Sequence, residues 1–95
     1  AEAEKWYRKA AVQGVAPAQS ILGLMYADGR GVARDYVQAH MWLNLATATF
    51  PPGEGREKAM HDRDLLARKM TPAQIEAAQK QAREWLAVFE KWKKE

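Results

Sequence analysis

The sequence contains no cysteine. Disulfide scaffolds, iron–sulfur clusters, thiolate zinc sites and cysteine nucleophiles are therefore excluded. Histidine occurs only twice, as His40 and His61, and serine once, as Ser20. No apolar run approaches the roughly 20 residues of a membrane-spanning helix, which argues against membrane insertion. No segment alternates apolar and polar residues with the period of a strand, so an all-α fold is expected. Charge of one sign is also missing. Fifteen Lys and Arg face twelve Asp and Glu, for a net charge of +3. Residues 1–52 carry five basic and four acidic groups, and residues 53–95 carry ten and eight. Nucleic-acid binders show a one-sign stripe, so no nucleic-acid partner is expected. The chain begins with Ala1 and shows no signal peptide, as a processed protein or an excised fragment would.

What is present is a globular composition. Hydrophobic residues make up 47% and charged residues 28% of the 95 positions. That suits one domain with a modest core. Helical periodicity runs through the whole length. Ala3, Trp6, Tyr7, Ala10 and Ala11 fall on one face of a helix over 2–13, and Gly14 stops it. Pro17 suits the first position of a second helix reaching Ala27. Ala18, Leu22, Met25 and Tyr26 lie on one side of it. Gly29 and Gly31 mark a turn that needs positive φ. Asp35 caps a third helix, with Gln38 placed for a capping box and Ala39, Trp42, Leu43 and Ala46 facing inward. Phe50-Pro51-Pro52-Gly53-Glu54-Gly55 breaks the chain.

A fourth helix is expected over 56–69, with Ala59, Met60, Leu66 and Ala67 inward. The fifth has the strongest start signal. Thr71 is its N-cap, Pro72 its first residue, Gln74 completes a capping box, and Met70 with Ile75 forms a hydrophobic staple. Ile75, Ala78, Ala82, Trp85, Phe89 and Trp92 make a stripe continuing to about residue 93. Such a stripe packs back on earlier helices or serves a partner, and it is short for a coiled coil. Lys91, Lys93 and Lys94 complement the negative end of this helix.

Ala3, Trp6 and Ala10 recur as Ala39, Trp42 and Ala46, each 36 residues later. A fixed period of one helical hairpin is the mark of an α-solenoid. One hairpin cannot bury its apolar face alone, so neighbours stack. The tryptophans are expected to fill the space between hairpins.

Ala18-Gln19-x-x-Leu22-Gly23-x-x-Tyr26, the turn Gly29-x-Gly31-Val32-x-x-Asp35-Tyr36 and Ala39-x-x-Trp42 together resemble a Sel-one-like repeat, a relative of the tetratricopeptide repeat. Ala3-x-x-Trp6-Tyr7-x-Lys9-Ala10-Ala11-x-Gln13-Gly14 is similar to the end of a preceding unit. The resemblance covers residues 3–47. It implies a short right-handed α-solenoid of about five helices in antiparallel hairpins. Residues 1–50 would hold half a unit and one full unit, and residues 51–95 a C-terminal capping hairpin with a long last helix. Met70-Thr71-Pro72-Ala73-Gln74-Ile75 resembles a segment that often ends bacterial members. A bacterial source, in cytoplasm or periplasm, is what this implies. Residues 54–59 depart from the repeat pattern, so the array stops after the third helix. The first helix lacks its own partner, which leaves Trp6 or Tyr7 uncovered. A longer array, or self-association through this face, would cover them.

Catalytic sets are thin. His61 and Asp64 are one helical turn apart but fall short of the four ligands of structural zinc. Asp62/Asp64 and Glu54/Glu57 read as helix N-terminal charge and solvation. Ser20 has no histidine nearby, and Gly29-Arg30-Gly31 lacks the Lys-Ser/Thr of a phosphate loop. No catalytic, metal-binding or cofactor-binding residues are assigned, and no cofactor. The expected function is a non-catalytic scaffold holding a peptide or helix in the solenoid groove. Ser20, Leu24, Ala27 and Asp28 are expected to line that groove, with Gln81 or Trp85 closing one end. The alternatives are an accessory or regulatory domain of a larger enzyme or envelope protein, and a weak polyanion binder.

Overall fold

The computed structural model describes residues 2–94, which form five helices and, among the described residues, no strand. They are α1 (Glu2–Val12), α2 (Ala16–Asp28), α3 (Tyr36–Thr49), α4 (Glu54–Ala67) and α5 (Pro72–Lys94). The expected helices are all present. The fourth begins two residues earlier than its periodicity suggested. Gly53, at φ 145°, ends the proline break, and Glu54 and Glu57 then occupy the first turn, where acidic groups suit the helix dipole.

The joints follow local chemistry. Gly14 adopts φ 87° after α1, and the Val15 amide donates back to the Ala10 carbonyl. Gly29 ends α2 in the left-handed region at φ 70°, and the Arg30 amide reaches the Met25 carbonyl, a Schellman-type closure. Asp35 accepts the Gln38 amide at 3.1 Å. The expected capping box at this end is only half made, because the Gln38 side chain donates instead to Gln81 Oε1. At the start of α5 the box is complete. The Gln74 amide donates to Thr71 Oγ1, and the Thr71 amide donates to Gln74 Oε1. Met70 and Ile75 of the staple join one core cluster.

Helix α3 is the shared centre, with α2, α4 and α5 packed against it. The crossing with α2 is close at Gly23. A Cβ added there would lie 2.9 Å from Leu43 Cγ and 3.1 Å from the Ala39 carbonyl oxygen. The Gln19 amide nitrogen donates to the Ala11 carbonyl, tying α2 to the end of α1. Two apolar clusters result. One gathers Ala11, Ala18, Leu22, Met41, Trp42, Leu45 and Ala82, and the other Ala39, Leu43, Leu66, Met70 and Ala78. Helix α5 runs along α3 from the second cluster to the first and has little contact with α4. The C-terminal pair is thus a hairpin in connectivity, while both of its helices pack chiefly on α3.

The inward placing of Met60 and the space-filling role of Trp6 are corrected, and the α5 stripe divides between core and solvent. Met60 is exposed on α4, beside the fully buried Ala59. Trp92 is 63% exposed, because the last turns of α5 run past the body they pack on. Trp6 is 68% exposed, in keeping with the uncovered face expected of the first helix and against a space-filling role between hairpins, whereas Trp42 is 3% exposed. Ala3 is likewise exposed and Ala10 half-buried, against full burial of Ala39 and Ala46.

Candidate functional site

Helices α2 and α4 lie on α3 and touch each other over a short stretch. Beside that stretch is an open cleft. Leu24, Ala27 and Asp28 come from the last turns of α2, Tyr36 from the start of α3, and Asp62, Leu65 and Leu66 from α4, with Lys69 just beyond it. The cleft holds about 180 Å³. Small-molecule sites usually need about 300–1,000 Å³, so this one suits a side chain or two.

The floor is apolar. Leu24 and Ala27 are half-buried and pack on the second core cluster. Leu65 is 43% exposed next to the buried Leu66, so it offers its side chain to the opening. The polar groups are held. Asp62 accepts from Lys58 Nζ at 2.9 Å, with its side chain only 15% exposed. That corrects the reading of Asp62 as helix N-terminal charge. Asp28 pairs with Arg30 at 3.4 Å in a solvent-exposed contact.

Six residues were expected to serve a partner, and the fold separates them. Leu24, Ala27 and Asp28 share the cleft. Ser20 is half-buried on α2 and does not line it. Gln81 is engaged by Gln38 across the α3–α5 contact. Trp85 meets the Trp42 ring edge-on at 5.9 Å and stacks on Phe89 at 4.9 Å. Neither Gln81 nor Trp85 closes the groove, since α5 packs on another side of α3. Sequence reasoning missed Tyr36, Asp62, Leu65 and Lys69. One signal was available for Leu65. It precedes Leu66, and two adjacent leucines on a helix cannot both face the core squarely.

The repeat residues on the turn and hairpin take the places their spacing suggests. Leu22 and Gly23 are buried at the α2–α3 crossing. Tyr26 receives a hydrogen bond from the Arg8 guanidinium, which also pairs with Glu4 and lies over the Tyr26 ring. Gly29 and Gly31 both have positive φ. The open flank of α1 is present too, where Ala3 and Tyr7 line a depression with Ile21 and Met25.

Two titratable positions have been placed outside the cleft. His40 is 3% exposed on α3, and among the described residues its Nδ1 has no hydrogen-bond partner. Burial holds its pKa below the usual histidine value. The nearby Arg63 guanidinium acts in the same direction, and Asp64 opposes. His61 is exposed, and Asp64 is held by Arg63 at 3.2 Å.

A sequence model of the Sel1 repeat matches residues 1–15 and 16–48. The chain belongs to the Sel1 repeat family. The first match ends at the α1–α2 joint and the second spans the α2–α3 hairpin, so the family boundaries coincide with the structural ones. Sel1 repeats are in general protein-interaction modules. Chitin synthase regulatory factor 3 of Schizosaccharomyces pombe is 43% identical over 56 residues. The match covers 58% of this chain and 6% of that relative. The chain thus spans a small fraction of the relative's length. This relative is fungal and lends no support to a bacterial source. No solved structure shows a significant match.

Proposed function

We propose that this Sel1-repeat chain is a non-catalytic interaction module that seats a peptide or helix of a partner protein in the α2–α4 cleft. The observation that carries this is the cleft itself. Leu24, Ala27 and Leu65 give it an apolar floor, and Asp28, Asp62 and Lys69 give it a polar margin. An apolar anchor with oriented polar contacts around it is the usual form of peptide recognition on helical surfaces. A relative named as a regulatory factor supports the same reading. So does the separation of the groups that acid–base chemistry would use. Ser20 is on α2, His40 is buried on α3, and His61 is exposed on α4.

The test is a selection of displayed peptides on the purified chain and on Leu65→Arg. Leu65 is exposed enough for the arginine to reach water without disturbing the core. Leu24→Arg is the less clean variant, because Leu24 packs on the core cluster and its loss also weakens folding. Peptides that bind the native chain and are lost with folded Leu65→Arg support the proposal. Enrichment unaffected by Leu65→Arg contradicts it.

A further inference from the structure

A second surface lies away from the α2–α4 cleft, where the last turns of α5 pass the end of α1. Val12, Trp85, Val88, Phe89 and Trp92 line a notch there of about 130 Å³. The Phe89 ring rests on the α1–α2 joint, with Cζ 2.7 Å from where a Cβ on Gly14 would stand. The aromatic rings form a chain from core to surface. Trp85 stacks on Phe89 at 4.9 Å, and Phe89 meets Trp92 at 6.2 Å. At the outer end Val88 is 68% and Trp92 63% exposed. Apolar side chains grouped in this way on a surface mark an interaction site more often than singly scattered ones do.

Basic groups outnumber acidic ones on the turns of α1 and α5 that border the notch. Lys91, Lys93 and Lys94 occupy the last turn of α5, and Lys5 and Lys9 lie on the exposed side of α1 with Val12. Among the described residues none of these five lysines has a carboxylate within 4.0 Å. At 100° per residue Lys91 and Lys93 flank Trp92, Glu90 and Lys94 fall together on the far side of α5, and Glu84 lies one turn before Val88 on its face, while Glu2 shares a depression with Lys5 and Lys9. Complementation of the helix dipole accounts for lysines at the end of α5. It does not account for Lys5 or for the bare Val88 and Trp92.

We propose that this notch is a docking site for an acidic amphipathic helix of a partner protein. One aliphatic side chain would enter between Val12, Val88 and Trp92, and flanking carboxylates would meet Lys91 and Lys93 on either side of Trp92. The dimensions select this occupant. A cavity of about 150 Å³ accepts a benzene-sized group, so the notch takes a single side chain. A membrane surface needs a long free amphipathic face, and α5 has already committed Ala78, Ala82 and Leu86 to the core. Nucleic acid needs a longer basic stripe. The site is separate from the α2–α4 cleft, so it stands or falls on its own.

The experiment measures fluorescence anisotropy of a labelled synthetic helix with leucines at i, i+4 and i+7 and glutamates between them. The chain is used whole, as native protein, as Trp92→Ala and as the double variant Lys91→Glu/Lys93→Glu. All three altered positions are exposed, and circular dichroism checks that the helices are retained. Saturable binding to the native chain is expected, weakened about tenfold or more by Trp92→Ala. The charge reversal should weaken it too, and added salt should reduce the native affinity. Three results overturn the proposal. One is no binding at peptide concentrations of about 1 mM. Another is equal binding by the native chain and folded Trp92→Ala. The third is tighter binding to phosphatidylserine-containing vesicles or to a single-stranded oligonucleotide than to the peptide.

Discussion

Trp6 and Trp42 hold equivalent places in two copies of one motif, yet Trp6 is 68% exposed and Trp42 3%. The helices that carry them share the Ala-x-x-Trp-x-x-x-Ala spacing. The difference lies in what surrounds them. Helix α3 is packed by α2, α4 and α5, whereas α1 packs chiefly on α2. Equivalent positions therefore have different neighbours. Ala39 and Leu43 receive Gly23 of α2, while Ala3 and Tyr7 face an open depression. A solenoid motif states which face of a helix is prepared for packing. It does not state whether a neighbour is there.

Several substitutions break or sharpen this comparison. The largest effect is expected at Trp42. Its replacement by alanine should destabilise the chain by about 3–5 kcal/mol in denaturant unfolding. Next is Gly23→Ala, whose new methyl has no room between Leu43 and the Ala39 carbonyl. It should cost about 1–3 kcal/mol by the same measurement.

The acid limb of stability distinguishes the two helices further. His40 stands 36 residues after Glu4. Glu4 pairs with Arg8 near the surface, and His40 is buried without a partner at Nδ1 among the described residues. The folded state holds the His40 pKa below its ordinary value of about 6.5. Above that value both folded and unfolded chains carry neutral imidazole, and the group does not affect stability. Below it the unfolded chain binds the proton first. Stability should therefore fall as pH drops from about 6.5 toward the folded pKa, by at most about 1.4 kcal/mol per pH unit. Unfolding curves at a series of pH values should show this slope, and His40→Gln should flatten it.

Thr71→Ala should cost about 1 kcal/mol by removing the cap on Gln74. Trp6→Ala should be the mildest, within about 0.5 kcal/mol, as for other exposed positions. Equal losses at Trp6 and Trp42 would dissolve the contrast between α1 and α3.

Much of the fold was legible because its signals are local. The Thr71–Gln74 box and the glycines after α1 and α2 are short-range chemistry, and periodicity gave the helices. The repeat gave the α2–α3 hairpin. The path of α5 was not legible. Its stripe shows that Ala78 and Ala82 are buried, but nothing in it tells α3 from α4 as the helix they meet. For the same reason Gln81 and Trp85 were assigned to the groove. Three of the eight cleft residues were readable, because Leu24, Ala27 and Asp28 share one side of α2. Asp62, Leu65 and Lys69 depend on how α4 sits beside α2, and that is set by tertiary packing. Of the α5 stripe, Ala78 and Ala82 are buried and Trp92 is exposed, a division that periodicity alone does not make.

Helix α3 is the enclosed centre of the described residues, while Trp6 of α1 and Trp92 of α5 are exposed. The direct test is fluorine NMR of the chain labelled with 5-fluorotryptophan, which has four tryptophans to report. Trp6→Phe and Trp92→Phe assign the exposed pair without touching the core. A soluble paramagnetic agent should broaden the Trp6 and Trp92 signals strongly and leave Trp42 sharp. A Trp6 signal as protected as that of Trp42 would show that the two copies of the motif are equally covered, and the account would be wrong.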